Sequence, residues 1–413
     1  MLMEESLQLL ENQQMKNNTI YMKRIRYTYC LLSIVLLSAC SKNEQHKTIT
    51  VKNTLAVERS FETLELTQEF LKVTDLNTVG FRDAISKEIQ VTQLVDVDGD
   101  GVIDEILFQP KIAASSENQY EVVELALEEQ VKAENLCFSR FVPERTDDYT
   151  WENDKVAFRV YGPVAQQIHE SGKPGGTLSS GVDAWLKRVS YPIINKWYKE
   201  TMIDKTGSYH EDTGEGMDNF HVGVSRGVGG IAVRNNGEFC YSKNYTKWRT
   251  ITTGPLRTSF YLEYENWNAA GKLIKESKVV SLDLGNNFSK FETFITGSDE
   301  IYAGLTLHEK DGEVTGNKEK GWVSYWQPHA DSEIGTSILA DKNTFLAFEK
   351  YDVAAKDLSN AYANLKVVDN KVVYYAGFAW KKSKQYPTKK SWEAYLNSFS
   401  DKINNPLVVS LKK

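Results

Sequence analysis

The segment TSFYLEY, residues Thr258–Tyr264, alternates between side chains suited to a core and side chains suited to a solvated or polar face. Successive side chains of a β-strand point to opposite faces, so Phe260 and Leu262 fall on one face and Glu263 on the other. This alternation is typical of a half-buried strand. The segment therefore predicts a sheet with one face packed in a core.

Similar runs, rich in β-branched and aromatic residues, recur on both sides of this segment and are separated by turn signals such as Asn235-Asn236-Gly237 and Asp311-Gly312. Many strands with few helices are typical of sandwiches and barrels. We predict a mainly β protein, a large antiparallel β-sandwich with a few capping helices and a small N-terminal β unit. The predicted strands are Lys47–Val57, Val91–Val95, Ile103–Gln109, Tyr120–Leu127, Val156–Tyr161, Gly230–Val233, Pro255–Glu265, Lys278–Leu284, Phe288–Thr296, Ile301–His308, Trp322–Trp326, Thr344–Glu349 and Val372–Phe378.

Two segments have the apolar spacing of helices that cap a sheet. The first, Val182–Lys199, must kink or restart at Pro192. The second, Ser391–Ile403, stops before Pro406. A boundary between residues 140 and 155 is predicted to separate the N-terminal β unit, residues 47–150, from a catalytic β-sandwich domain, residues 151–413.

The chain begins with the pattern of a bacterial lipoprotein precursor. A basic start after Met22 leads into the apolar run Leu31–Leu37 and the lipobox Leu37–Cys40, and the run is too short to span a bilayer permanently. We expect residues 1–39, with Met22 as the better start, to be a signal peptide, Cys40 to be lipidated and residues 40–46 to form a polar tether. Ser41 is not the aspartate that retains lipoproteins at the inner membrane, so we expect an outer-membrane anchor facing the periplasm or the cell surface.

The net charge and the cysteine content restrict the classes of function that fit this sequence. The formal net charge is −7, and residues 1–39 carry four basic and three acidic groups, so the mature chain is near −8. This balance argues against a nucleic-acid-binding protein, whereas an anionic substrate remains compatible if its cleft is locally basic. Once the leader is removed and Cys40 is lipidated, Cys137 and Cys240 remain and are able to pair outside the cytoplasm.

The loop Asp96–Asp104 fits the pattern D-x-D-x-D-G-x-x-D. Carboxylates at alternate positions can wrap one hard cation, and the set Asp96, Asp98, Asp100 and Asp104 predicts a structural calcium site. The alternative is a solvated Asp/Gly hairpin turn.

The loop Ser208–His221 is the richest in chemistry, because it holds two histidines, a tyrosine and four acids between predicted elements. Loops held on rigid sheets are where binding and catalytic groups concentrate. The alternative is a charged surface loop with a capping histidine. Elsewhere in the chain, basic and aromatic side chains are candidates for binding a sugar acid. They are Arg159, Lys187, Arg188, Arg226, Arg234, Arg249, Arg257, Trp185, Trp322, Tyr325 and Trp326, together with a third histidine, His329.

Four motifs in this order resemble a known family: Phe158–Pro163, Asp183–Val189, Tyr209–Gly216 and Gly254–Arg257. The sequence is similar to bacterial lipoproteins long catalogued as a domain of unknown function and encoded among polysaccharide-degrading enzymes. Characterised members are similar to ulvan oligosaccharide dehydratases. The resemblance covers roughly residues 47–413. It implies a supersandwich like that of aldose mutarotases, and a lyase that removes water from a non-reducing-end glucuronate or iduronate.

Elimination of water from a uronate has three requirements. The charge of the uronate carboxylate must be offset, a base must remove the C5 proton, and an acid must protonate the C4 hydroxyl. We expect His210 to be the base and Arg188 and Arg226 to offset the charge. No cofactor is expected for catalysis. The candidates for the acid are Tyr209, His221 and His329, and those for substrate binding are Arg159, Lys187, Trp185, Tyr325 and Trp326.

Three other functions remain open: an aldose-epimerase-like isomerase, a non-catalytic glycan-binding lipoprotein and an endo-acting polysaccharide lyase. The expected partners are anionic oligosaccharides, uronate-bearing and sometimes sulfated, and the membrane through Cys40, with no nucleic acid.

Overall fold

The computed structural model describes residues 13–16, 47–355 and 357–412. Lys47–Lys413 form one compact unit, and Met1–His46 form another, of which a helical turn at residues 13–16 is described. The predicted signal peptide, the lipidation site Cys40 and the tether lie outside the described residues. Within the described part of the chain, no helix combines the length and the apolar character needed to cross a bilayer.

The compact unit is built mainly from strands. In chain order they are β1 Thr48–Lys52, β2 Leu64–Thr67, β3 Val79–Asp83, β4 Thr92–Val95, β5 Glu105–Phe108, β6 Glu117–Glu124, β7 Phe138–Val142, β8 Asp148–Glu152, β9 Ala157–Val160, β10 Asp183–Lys187, β11 Gly216–Met217, β12 Val228–Asn235, β13 Glu238–Cys240, β14 Tyr245–Thr252, β15 Arg257–Tyr264, β16 Trp267–Ala269, β17 Lys272–Asp283, β18 Phe288–Thr296, β19 Glu300–Thr306, β20 Glu313–Asn317, β21 Trp322–His329, β22 Ser332–Leu339, β23 Phe345–Tyr351, β24 Asn360–Lys366, β25 Lys371–Trp380 and β26 Val408–Lys412.

Helices are few and short. The α-helices are α1 Gln68–Leu71, α2 Pro163–Glu170, α3 Ile194–Tyr198 and α4 Lys389–Asn404, and a π-helical turn, Lys199–Asp204, continues α3. Short 3-10 turns lie at Leu127–Glu129, Pro143–Arg145, Lys318–Lys320 and Lys381–Ser383.

The named strands pair in antiparallel ladders within five sheets. The largest sheet has nine strands, in the order β14-β15-β17-β18-β25-β22-β21-β20 with β16 paired to β17. Two five-stranded sheets, β11-β10-β9-β8-β7 and β13-β12-β19-β24-β23, contribute side chains to the same core as the nine-stranded sheet. The predicted large antiparallel β-sandwich is confirmed.

The segment that predicted the fold lies at the centre of this core. Phe260 and Leu262 in β15 are buried at no more than 2% exposure, together with Phe158 of β9 and Phe291 of β18. Period-two alternation lets one face of each strand enter the shared core while the other face stays available for further packing or for a site.

The N-terminal β unit has its own apolar core and is completed from the far end of the chain. Its four-stranded sheet, β26-β1-β6-β3, packs with the three-stranded sheet β2-β5-β4 around Ile49, Phe81 and Phe108. β26 is therefore part of this unit, although it is the last strand in the chain. The division predicted near residue 150 falls within β8 and stays a prediction.

Of the two predicted helices, the second is confirmed as α4 and the first is wrong for most of its length. Residues Asp183–Lys187 form β10, and α3 begins only at Ile194, after Pro192. Trp185 and Trp197 do share an apolar cluster, but they reach it from a strand and a helix. Their spacing fitted a helical face by coincidence, and strand pairing with β9 outweighed it.

Helix α4 covers the second face of the nine-stranded sheet. Trp392 and Leu396 are fully buried there against Phe288 and Leu339. The helix begins at Thr388, whose side chain accepts a hydrogen bond from Ser391 N–H, a typical N-cap.

We predict that Leu396→Ala lowers the free energy of unfolding by about 2–5 kcal/mol, because it removes buried methyl groups and leaves a cavity. Urea denaturation followed by tryptophan fluorescence measures this. The matched control is Leu273→Ala, since Leu273 is 59% exposed, and we expect a change within about 0.5 kcal/mol. Equal losses for the two variants would contradict the docking of α4.

Candidate active site

A cleft of about 550 Å³ is bordered by residues in and just after β9, by His169 and Gly176–Leu178, by His210 with Asp218–Val224, and by Asp357. Its size is within the range of small-ligand sites. Side chains able to bind or transfer protons line it: Arg159, Tyr161, His169, His210, Asp218, Asn219, His221 and Asp357.

Arg159 anchors the floor of this cleft. Its Nη2 donates to Asp183 Oδ2 at 2.6 Å and to Asp218 Oδ2 at 2.8 Å, and its Nε donates to Asp183 Oδ2 at 3.0 Å. Burial alone would lower the pKa of Arg159, but the Asp218 and Asp183 carboxylates raise it well above its usual range. The arginine stays charged and ties the predicted catalytic loop to β9 and β10.

Tyr161 extends this network into the cleft. Its hydroxyl donates to Asp183 Oδ2 at 3.1 Å and accepts from Arg159 Nη2 at 3.4 Å. Burial raises the pKa of Tyr161 well above its usual range, so the phenol stays protonated. Burial, and beyond it the nearby Asp218 carboxylate, raise the pKa of Asp183.

The ring of His210 is held in one tautomer. Its Nδ1 lies 2.6 Å from the backbone oxygen of Asp218. A carbonyl oxygen can only accept, so Nδ1 carries the hydrogen and, in the neutral ring, Nε2 keeps a free lone pair. The His210 side chain is 61% exposed, which leaves Nε2 accessible to a substrate in the cleft.

A second histidine of the cleft, His221, pairs with a carboxylate. Its Nε2 lies 3.0 Å from Asp357 Oδ2, and its backbone oxygen accepts from His308 Nε2 at 2.8 Å. His308 Nδ1 in turn accepts from Gln327 Nε2 at 2.8 Å. Burial lowers the pKa of His308. His308 is therefore a neutral support, and His221 is the residue exposed to the cleft.

His329 acts on the cleft through Asn219. Burial, and to a lesser extent His308, lower the pKa of His329 to about 4, so the ring is neutral near pH 7. Its Nε2 lies 3.1 Å from Asn219 Oδ1. Because this oxygen accepts from the imidazole, the Asn219 amide presents its NH₂ group as a donor for a ligand.

Three candidates of the sequence analysis are packed in the fold instead of facing the cleft. Trp185 is fully buried, and its ring centroid lies 5.5 Å from that of Trp197 and 5.1 Å from that of Tyr209. Tyr209 is only 4% exposed. Lys187 is buried in an ion pair with Glu152 at 2.7 Å. The roles predicted for Trp185 and Lys187 in substrate binding, and for Tyr209 as an acid, are corrected accordingly.

The two arginines predicted to offset the substrate's charge also lie elsewhere. Arg188 pairs with Asp212 at 3.0 Å and does not border the cleft. Arg226 is buried beneath Tyr241 and borders a different cavity. The arginine that does border the cleft is Arg159, which the sequence analysis placed among the substrate-binding residues.

The predicted stacking residues Tyr325 and Trp326 belong to the core. The Tyr325 hydroxyl donates to the Leu307 backbone oxygen at 2.9 Å, and Trp326 packs beside Trp392 under α4. Alternation along β21 sends them to opposite faces of the nine-stranded sheet, and both faces are covered. Neither is available to stack on a sugar in the cleft.

Tyr161, His169, Asp218, Asn219 and Asp357 line the cleft but were not predicted from the sequence. Asp218 and Asn219 lie inside the segment Ser208–His221, so their position near His210 was a usable signal. Tyr161 follows Arg159 by two residues, as expected for side chains on one face. Asp357 is 136 residues from His221, and only the tertiary structure brings them together.

In the predicted calcium loop, Asp96, Asp98 and Asp104 present carboxylate oxygens within 4.8 Å of one another, and Asp100 is not part of this group. Asp96 already accepts from two glycine N–H groups at 2.7 and 2.9 Å, and Asp104 accepts from Val97 N–H at 2.7 Å. These bonds form a self-capped turn, and calcium binding stays a prediction.

Cys137 and Cys240 do not form a disulfide. Cys137 is buried, Cys240 is half-buried, and both are free thiols.

A family model described as a domain of unknown function, DUF4861, matches residues 51–409. The chain belongs to this family. A protein of Formosa agariphila, named uncharacterized protein P7, is 52% identical over 396 residues, which cover 95% of this chain and 100% of that protein.

Two solved structures resemble the DUF4861 chain over 90% of its length, each at 9% identity. They are an α-mannosidase of Enterococcus faecalis, with a TM-score of 0.44, and a glycosyl hydrolase family 38 protein of the same species, with a TM-score of 0.46. The chain spans about half of each, 46% and 48% respectively.

We predict that His329 makes the DUF4861 protein less stable in acid. The pKa of His329 falls from 6.5 to about 4 on folding, so the unfolded chain binds more protons between these values, and stability is lost as the pH falls from about 6.5 towards 4. When the pH is lowered from about 7.5 to 4.5, the free energy of unfolding of the wild-type protein should fall by about 2 kcal/mol more than that of His329→Gln. Urea denaturation at the two pH values measures this difference, and parallel behaviour of the two proteins would contradict it.

Proposed function

We propose that the protein is a dehydratase that removes water from the non-reducing-end glucuronate or iduronate of ulvan-type oligosaccharides and leaves a 4,5-unsaturated uronyl end. Two things support this proposal. The chain resembles the family that includes the ulvan oligosaccharide dehydratases, and its cleft unites an imidazole base with amide, guanidinium and imidazole donors.

The first requirement is to offset the substrate carboxylate, because removal of the C5 proton adds negative charge next to it. Preorganised donors stabilise such charge. The Asn219 NH₂ group, oriented by His329, and the Arg159 guanidinium meet this need in our proposal. Arg159 already serves two aspartates, so Asn219 carries the direct hydrogen bond.

The second requirement is a base, and His210 is the residue that we assign to it. The 2.6 Å contact of Nδ1 with the Asp218 carbonyl leaves Nε2 as the acceptor. This single observation carries the proposal, since it leaves Nε2 of the exposed His210 ring as the acceptor available to a substrate in the cleft. General base catalysis contributes roughly 10²–10⁴-fold.

The third requirement is an acid, and we assign it to His221 with Asp357. The C5 proton moves to His210 Nε2, the C5–H electron pair forms the C4–C5 double bond, and the C4–O bond breaks. Protonated His221 gives its proton to the departing hydroxyl, which leaves as water. The carboxylate of Asp357, 3.0 Å from Nε2, orients the imidazole ring. Solvent then restores both histidines.

The reaction products distinguish a dehydratase from the other candidate functions. An endo-acting lyase eliminates a sugar in place of water and shortens its substrate. An aldose-epimerase-like isomerase forms no new double bond, and a glycan-binding protein changes nothing. Our proposal also includes a lipid anchor at Cys40, an outer-membrane location and a structural calcium ion in the Asp96–Asp104 loop, with no cofactor for catalysis.

The test is incubation of the purified protein with saturated uronate-ended oligosaccharides, followed by ultraviolet absorbance and mass spectrometry. We expect loss of one water per chain end with a new conjugated chromophore. Cleavage into smaller products would favour an endo-lyase. Unchanged mass with a rearranged reducing end would favour an isomerase, and no change at all a binding protein.

We predict that His210→Ala lowers kcat/KM in this assay by roughly 10²–10⁴-fold, because the base is lost. The matched control is Arg188→Ala, which removes a cation of the same sequence region that lies outside the cleft; we expect it to keep at least about a third of the wild-type rate. Circular dichroism checks that both variants fold. Near-normal turnover of His210→Ala would remove His210 from the mechanism.

A further inference from the structure

A second cavity, of about 260 Å³, shares Val224 with the wall of the cleft. Aromatic rings surround it, and Arg226 borders it. We call it the Arg226 pocket. Its lining includes Phe239, Tyr241, Tyr351, Tyr362 and Leu358.

Arg226 is an unusual residue for a protein interior. It is 1% exposed, and its guanidinium donates to the Ser180 hydroxyl at 2.9 Å and to the backbone oxygens of Ile231 at 3.3 Å and Val224 at 2.9 Å. Among the described residues it forms no ion pair, and its Nε has no hydrogen-bond partner. Burial lowers the pKa of Arg226.

A buried cation without a carboxylate partner is costly, and proteins normally pair such charges. The other buried arginines among the described residues follow this rule, since Arg59 pairs with one acid, Arg257 with two and Arg159 with three. Glu276 acts on Arg226 only from beyond ion-pair distance, so the positive charge of Arg226 lacks a directly bound carboxylate among the described residues. An anionic group on a ligand would meet this need.

The aromatic rings suit a sugar. The Tyr241 ring lies over the guanidinium at 4.0 Å, and Phe239 stacks on Tyr362 with centroids 4.2 Å apart. Phe239, Tyr241 and Tyr351 are only half-buried, so part of each ring faces the cavity or solvent. The acid at the rim is Glu238, which is exposed.

We propose that the Arg226 pocket binds a sugar unit that carries an anionic oxygen group, either a carboxylate or a sulfate ester. Since the pocket and the cleft share Val224, the bound unit would belong to the same oligosaccharide as the reacting uronate. The chemical class of this ligand rests on the proposed function. The pocket itself rests on the unpaired Arg226 and its aromatic surroundings.

Two substitutions test the pocket through its charge. Leu358→Glu places a carboxylate at the pocket lining to compete with the ligand, and Leu358→Gln is the matched neutral control of equal size. Glu238→Gln removes the acid at the rim and, because Glu238 is exposed, should leave the fold intact. The probes are glucuronate, glucose 6-sulfate and, as a neutral reference, glucose, titrated by calorimetry into the full-length mature protein.

We expect wild type and Leu358→Gln to bind at least one charged probe more tightly than glucose, Leu358→Glu to bind it at least about tenfold more weakly, and Glu238→Gln to bind it about twofold to fivefold more tightly. Binding of glucuronate alone identifies a carboxylate site, and binding of glucose 6-sulfate alone a sulfate site.

Failure to bind either charged probe, equal binding of glucose, or equal affinities across the variants would overturn the proposal. If Leu358→Glu does not fold, the affinity of Glu238→Gln for the charged probes decides whether the Arg226 pocket binds an anion. These titrations need no turnover, so the Arg226 pocket and the dehydratase reaction can fail separately.

Discussion

The buried contact of Arg159 with Asp183 and Asp218 is the constraint on which the site depends. It joins two neighbouring strands of one sheet to the loop that carries His210. A guanidinium with its planar fork can serve two carboxylates at once, and removal of one partner from such a group leaves an uncompensated buried charge. The network therefore holds a glycine-containing loop in one position on the sheet.

This position decides the chemistry of the histidines. His210 is next to Asp218 along the network, and the backbone oxygen of Asp218 selects its tautomer. Backbone and amide contacts do the same for His308 and His329. Burial keeps the latter two neutral, whereas His210 and His221 remain exposed at 61% and 58%. The fold thus separates supporting histidines from those that can exchange protons with a ligand.

The electrostatics of the cleft differ from the arginine-rich pocket expected from the sequence. Arg159, the arginine among the described lining residues, shares its charge with three aspartates. In our proposal the cleft therefore stabilises an anion through oriented donors more than through a net positive field. Oriented dipoles lose little energy in reorganisation when charge develops. Arg226, by contrast, remains an unpaired cation in a neighbouring aromatic pocket. In our proposals, the two cavities recognise anions in different ways, the cleft through oriented donors and the Arg226 pocket through an unpaired charge.

The sequence by itself determined the fold class, helix α4 and the segment that carries His210 and His221. Local periodicity and composition encode these features, as the alternation in Thr258–Tyr264 illustrates. Only the tertiary structure decided which basic and aromatic residues reach the cleft. Trp185, Tyr325 and Trp326 look like sugar-stacking residues in sequence, but strand pairing buries them on covered faces. Asp357 reaches His221 across 136 residues, because contacts between distant strands depend on sheet order and register, which local sequence does not specify.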